Sequence, residues 1–599
     1  MKSSVLRKNL WVIFAGLSIP LATWATPILA PADDSFYTPP AVSAGNHGDL
    51  IWYRPTTINL GGGVPPVQAW NVMYRSTDSV GASNFVTGTI VVPTTATTGT
   101  AARPVVAYAV GTHGLAQRCS PSKQLAAGTD YETANIAAAI KAGYAVLISD
   151  YAGYTTGSSP TYMSGKSQGN ALLDLVIAAT QIPNVGISSN SKVGIWGYSQ
   201  GGQTATWAGE QKASYAPNIN LVGVAAGGVP ADLMKTAFYL DGSAGASFLL
   251  GAVVGLSTQY PSQIPLADLT TANGTAAINR AKSECVFESL FDFMNHKISE
   301  YTVNNQTLAQ LTAIPSIKQT ITAQSVGTTK IPVPLYQYHG VADEFIPLDQ
   351  SLALKRAYCN KFGNVTFDAY PSEHIVTQFQ AAPTVLSWLT DRFAGKSTLG
   401  TCITLAKTPV ASANPAGGNF VVSLKSWPLS GTINLKTLAQ SVTLPTGSTL
   451  TADTDITAKT LKGTLSVPAL TTNLKIAGLP ADVKLEVTPA AQTTGVASLD
   501  NAGILHVHGQ SPVNIRIVSA GVSVLQIPFG CQTSQPVVLN VDFDGPVSSL
   551  GNGSFNFTGT TTFPPMTGCG VFNSLFTSLM SGPGQTYSFN VKPPEPIKW

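Results

Sequence analysis

The sequence predicts an α/β domain carrying a helical cap, followed by an all-β region, and three observations carry that prediction. Up to about residue 405, short apolar β-rich runs alternate with helix-like stretches. Within that alternation, residues 231–329 are mainly helical and too long a stretch to be a plain loop in a compact domain. From residue 419 onward Thr, Val, Ser, Gly and Pro dominate, and helical periodicity almost disappears. Strand and helix in alternation imply a mostly parallel sheet with helices on both faces.

The elements follow in order. Residues 105–110, 144–149, 193–196, 221–226, 333–338 and 365–370 are the β-rich runs of the first region. Helical patterns at 133–142, 169–179, 349–362 and 383–393 lie among them. The expected α/β domain spans 26–405, with a cap insertion at about 231–329 over one end of the sheet. Residues 406–418 have the Pro, Ala and Gly composition of a linker. Residues 419–599 are expected to form a sandwich-like β region, with a division into two modules near Leu499.

Composition narrows the function classes. Hydrophobic residues make up 44% of the 599 and charged residues only 11%, the reverse of a disordered chain. A net charge of +3 lacks the clustered Lys and Arg that bind a phosphate backbone. The mean hydropathy of +0.17 raises the membrane question, and the N-terminus answers it. Lys2, Arg7 and Lys8 precede an apolar run at 10–25 that ends in small residues suited to cleavage. Residues 1–25 therefore read as a signal peptide, with a mature chain from about Thr26. The apolar stretch at 242–256 is Gly-rich and too short to span a bilayer. The expectation is an exported protein, extracellular or periplasmic, with no integral membrane segment after cleavage.

The motif that carries chemistry is Gly197-Tyr198-Ser199-Gln200-Gly201. It follows the predicted strand 193–196 and opens a helix-compatible stretch, the context a nucleophile elbow requires. The glycines allow a sharp strand-to-helix turn that leaves the Ser199 hydroxyl exposed. A hydroxyl at neutral pH needs a base, itself oriented by an acid. In α/β-hydrolases these follow the serine in the order acid, then histidine. His374 lies just past the predicted strand 365–370, at the carboxyl end where sites in such sheets form. His339 reads instead as a structural hydrogen bond in a turn. Asp343, in the loop after strand 333–338, is the expected acid; its neighbour Glu344 is expected to point elsewhere.

An oxyanion hole needs two backbone donors. Gln200 follows the nucleophile and supplies one. The loop Gly111-Thr112-His113-Gly114-Leu115 supplies the other, from His113 or Gly114. No cofactor or metal is implied. His506 and His508 alternate on a predicted strand and offer half a metal site, but without further ligands nearby they read as plain strand histidines. Cys119, Cys285, Cys359, Cys402, Cys531 and Cys569 are even in number and lack CxxC spacing, so disulfides are expected, with 15 pairings open.

The run from Gly111 through Cys119 to Ser122, the Gly197–Gly202 elbow, the segment Ala226-Gly227-Gly228-Val229-Pro230-Ala231-Asp232 and the Asp343 loop together resemble the secretory lipase family over roughly 33–403. The resemblance implies an α/β-hydrolase core with a cap and lid, and hydrolysis of carboxylic esters including acylglycerols. It implies Ser199, Asp343 and His374 as triad, and His113 with Gln200 as oxyanion donors. It also implies pairing of Cys119 with Cys285 and Cys359 with Cys402, leaving Cys531 for Cys569. The expected function is an exported serine ester hydrolase of lipase type, acting on an ester or lipid at an interface. The alternatives are a short-chain or polyester esterase or an acyltransferase on the same triad, a prolyl-type peptidase, and a surface adhesin with an inert hydrolase domain.

Overall fold

The computed structural model describes residues 28–41, 44–95, 102–404, 418–476, 478–522, 525–551 and 555–598. The expected signal peptide and nearly all of the expected linker lie outside them.

The first sheet contains β1 (Ile28–Leu29), β2 (Leu50–Thr56), β3 (Val67–Thr77), β4 (Ser83–Pro93), β5 (Val105–Ala109), β6 (Ala145–Ala152), β7 (Val193–Tyr198), β8 (Leu221–Gly227), β9 (Leu335–Gly340) and β10 (Val365–Tyr370). Its order is β1-β2-β3-β4-β6-β5-β7-β8-β9-β10, and from β6 through β10 the pairing is parallel. Strands β5 and β7 are buried along their whole length, as expected of parallel strands covered on both faces. The antiparallel strands β2 to β4 extend the sheet beyond the runs legible in sequence.

Helices α1 (Pro121–Ala127), α2 (Thr133–Lys141), α3 (Gly165–Ala179) and α4 (Gln200–Tyr215) follow the early strands. On one face Leu172, Leu175, Ala205 and Ala208 pack against Val105, Leu147 and Ile195. On the other, Ile136 and Ile140 of α2 pack with Val106, Ile148 and Trp196. Seven helices lie between β8 and β9: α5 (Leu233–Leu240), α6 (Ala246–Gln259), α7 (Leu266–Leu269), α8 (Ala272–Ala281), α9 (Val286–Phe293), α10 (Leu308–Thr312) and α11 (Pro315–Thr322). They form the cap. Helices α12 (Leu348–Cys359), α13 (His374–Gln380) and α14 (Ala382–Phe393) complete the α/β region.

The β-rich region contains β11 (Val421–Leu435), β12 (Gln440–Thr443), β13 (Thr449–Asp455), β14 (Thr460–Ile476), β15 (Leu479–Pro489), β16 (Thr493–Leu499), β17 (Ile504–Val522), β18 (Leu525–Thr533), β19 (Val537–Pro546), β20 (Phe555–Phe563), β21 (Met566–Thr567) and β22 (Gly582–Val591). The short helices α15 (Ser548–Gly551) and α16 (Asn573–Met580) interrupt it. Burial along β17, β20 and β22 alternates residue by residue, so one face of the sheet is apolar. The sheet curls around that face: Thr561 of β20 donates its hydroxyl to the Val538 carbonyl oxygen of β19. The Tyr587 hydroxyl meanwhile donates to the Asn540 carbonyl oxygen at 3.0 Å. Strand β16 pairs with both β14 and β17, so a single sheet spans the position near Leu499 where two modules were expected to divide.

The two regions share one apolar core. Leu249 and Leu256 of the cap, Phe345, Val376 and Phe379 of the α/β region, and Phe420, Val547 and Leu550 of the β region belong to one contiguous buried cluster. A last strand, β23 (Ile597–Lys598), returns to pair antiparallel with β10, Asp368 opposite Lys598. The cysteines pair as Cys119–Cys285, Cys359–Cys402 and Cys531–Cys569, the pairing implied by the resemblance. No helix among the described residues is long and apolar enough to cross a membrane.

Candidate active site

Ser199 sits between β7 and α4 with φ 59° and ψ −121°, a strained backbone that non-glycine residues rarely adopt. The turn is tight enough that a Cβ at Gly197 would overlap the Gly201 carbonyl oxygen, and one at Gly201 would overlap that of Ala109. Glycine is therefore required at both positions. The Ser199 N–H donates to the Gly227 carbonyl oxygen at 3.0 Å, tying the elbow to β8. The partial positive charge at the start of α4 lies beside it.

His374 is the first residue of α13, and its Nδ1 lies 2.7 Å from Asp343 Oδ2. Asp343 is wholly buried and gathers further donors. The N–H groups of Phe345 and Ile346 reach its Oδ1 at 3.0 and 2.7 Å. His339 Nε2 stands 3.1 Å from Oδ2 and 2.9 Å from the Ile346 carbonyl oxygen. Burial alone would push the Asp343 carboxyl up. The His374 and His339 imidazoles outweigh it and hold the group well below the usual carboxylate range. His339 thus makes the structural hydrogen bond expected of it, and the same ring also touches Asp343.

Glu344 does not point elsewhere. Its Oε2 accepts the His374 N–H at 3.1 Å, while Glu373 caps α13 by accepting from Ile375 and Val376 at 2.6 and 2.7 Å. Both carboxyls are buried. Burial, then the like charges of Glu373 and Asp343, push Glu344 well up. Burial in turn raises Glu373 to about 7 against the N–H groups that favour its charged form.

The loop at 111–115 is held from beneath and from above. Beneath, Gly111 N–H donates to Glu132 Oε1 at 2.8 Å. His113 is buried, its Nδ1 facing the Gly111 carbonyl oxygen at 3.0 Å and its Nε2 facing Asp130 at 2.9 Å. Both ring nitrogens face acceptors, which calls for the doubly protonated ring. Above, Gly114 (φ 112°) bridges Cys285 so closely that a Cβ would strike the backbone of 284–285, and the Cys119–Cys285 disulfide fastens the same contact to the cap. The His113 side chain thus turns away into a buried acidic pair that sequence reasoning missed. The sequence signal was the Asp130-Tyr131-Glu132 triplet just before α2.

Ser199, Gln200 and His374 are among the residues lining an almost wholly apolar cleft of about 1180 Å³, counted to its open mouth. Tyr162, Phe248, Leu249, Leu256, Leu311 and Ile321, mostly from the cap, supply much of the remaining wall. His506 and His508 lie far along the chain on β17, ion-paired with Asp544 and Asp542 on an exposed face. Among the described residues no cluster of three or more His, Cys, Asp or Glu is arranged to hold a metal.

Comparison with known proteins agrees with this geometry. The pattern of the secretory lipase family matches residues 118–401. Lipase 5 of Candida albicans is 27% identical over 416 residues, covering 65% of this chain and 85% of the relative. A probable inactive lipase of Mycobacterium tuberculosis is 28% identical over 380 residues, covering 61% and 83%. The closed-state structure of Candida antarctica lipase A shares the fold with a TM-score of 0.55 at 24% identity, covering 66% of this chain and 94% of that one. With its mixed sheet, helical cap and serine elbow, the α/β region of this chain is similar to the secretory lipase family over residues 118–401.

Proposed function

We propose that the protein is an exported serine carboxylic-ester hydrolase of lipase type, in which Ser199, His374 and Asp343 form the triad. The observation that carries the proposal is the Asp343–His374 contact at 2.7 Å, placed in the same apolar cleft as a serine on a strained elbow. With Nδ1 engaged by Asp343, His374 Nε2 is the nitrogen that works as base. Ser199 Oγ attacks the ester carbonyl carbon as its proton passes to His374. The tetrahedral intermediate collapses when His374 returns that proton to the departing alcohol, leaving an acyl-enzyme. Water, deprotonated by the same imidazole, then releases the acid and regenerates Ser199. The backbone N–H groups of Gln200 and His113 receive the developing oxyanion. Asp343 stays ionised throughout and stabilises the imidazolium.

The apolar wall supports a fatty acyl group as the bound part of the substrate. Three disulfides fit an oxidising compartment and hence export. Because one relative bears the name of a probable inactive lipase, activity needs a direct test. Ser199→Ala should lower hydrolysis of p-nitrophenyl esters by about six orders of magnitude. Retention of wild-type turnover would refute the triad.

A further inference from the structure

The loops that carry Asp343 and His374 are both gripped by the β region. On the acid side, the Phe345 ring packs edge-on to the His374 ring at 5.3 Å and also meets Phe420 at 5.5 Å and the cap's Phe248 at 5.0 Å. Phe345 is the residue whose N–H binds Asp343 Oδ1. Phe420 is fully buried and anchored in the β region, its N–H donating to Thr457 Oγ1 at 2.9 Å and its carbonyl oxygen accepting from Ile456 N–H at 2.9 Å.

On the histidine side, α13 lies against α15. The approach is so close that a Cβ on Gly551 would collide with Phe379 and the Gln380 backbone. At the far end of α13, Gln380 donates through Nε2 to the Pro594 carbonyl oxygen at 2.9 Å and accepts from the Ser372 hydroxyl at 2.6 Å. The Ser372 carbonyl oxygen in turn holds Ala342 N–H, next to Asp343, at 3.1 Å. Finally, β23 pairs with β10, the strand that leads into His374.

The geometry points to the β region as a positioning element of the active site, with Phe420 as the residue that sets the Asp343–His374 contact by backing Phe345. This inference rests on the serine-hydrolase reading. It makes the β region part of the catalytic fold rather than a separable attachment. Cutting the chain in the linker would strip cover from Phe345, Val376 and Phe379, which are no more than 2% exposed. Loss of activity on truncation would therefore not report on substrate attachment.

The test uses the full chain carrying Phe420→Ala or Phe420→Leu, assayed on a soluble short-chain ester well below each variant's unfolding temperature. A displaced catalytic group costs turnover rather than binding. The expected result is kcat down by about tenfold or more in Phe420→Ala and by about threefold in Phe420→Leu, with KM within about twofold of wild type. A folded Phe420→Ala with full kcat, or a loss confined to KM, would overturn the inference. Should Phe420→Ala not fold, Phe420→Leu decides alone, and unchanged kcat there overturns it as well. Ser199→Ala run alongside separates the two claims. Activity surviving that change removes the triad reading. Its loss beside unimpaired Phe420 variants removes only the positioning role.

Discussion

His113, in the loop 111–115 that follows β5, forms a buried ion pair with Asp130 at 2.9 Å. Burial opposes the charge on the ring. The Asp130 carboxylate, helped by Glu132, more than offsets it and holds the imidazole up to about 9, against an ordinary value of 6.5. A histidine whose folded value is raised stabilises the fold fully below its unfolded value, and that contribution is lost as pH rises through the folded one. Thermal unfolding midpoints measured across this range should therefore fall between pH 6.5 and about 9. His113→Gln should flatten that decline while lowering the midpoint at pH 6. An unaltered slope in the variant would mean that another group governs it.

The Glu344 and Glu373 carboxyls carry the same sign. Glu373, ordinarily near 4.5, is raised to about 7 by burial, so the folded protein holds its proton longer than the unfolded chain does. Stability from this source is present at acidic pH and lost as pH rises through about 7. Glu344→Gln keeps an acceptor for the His374 N–H and removes one buried charge. It should raise the unfolding midpoint at pH 8 and leave it nearly unchanged at pH 4.5. Equal effects at both pH values would count against the pair.

Ala252, on the cap helix α6, lines the apolar cleft and is only partly buried. Ala252→Trp adds a bulky ring to the space assigned to the acyl chain. Activity on palmitate esters should fall by about tenfold or more while acetate esters are hydrolysed at close to the wild-type rate. A chain-length profile from acetate to palmitate reads this directly. A profile unchanged by Ala252→Trp would place the acyl chain in a different groove.

The elbow, the loop of Asp343, the helix start at His374 and the strands before them were legible because each depends on local pattern. Glycines flank Ser199, and buried parallel strands are continuously apolar. The β strand 365–370 matches the sequence reading residue for residue. Glu344 was misjudged because its contact with the His374 N–H depends on a loop folding back on itself, which no periodicity announces. Asp130 and Glu132 were missed because a carboxylate before a helix ordinarily reads as a surface cap. The grip of the β region was invisible for a simpler reason. Phe420, Gly551 and Pro594 meet the catalytic loops only across long sequence separations.

That separation also orders events in time. Residues leave the ribosome from the N-terminus onward, so β10 is made long before the β23 strand that pairs with it. Contacts between such distant segments form late in folding. A chain still being made therefore has Ser199, Asp343 and His374 but not yet the strand and rings packed against their loops. On the proposed reading, full ester cleavage should begin only after the β region has been made and docked.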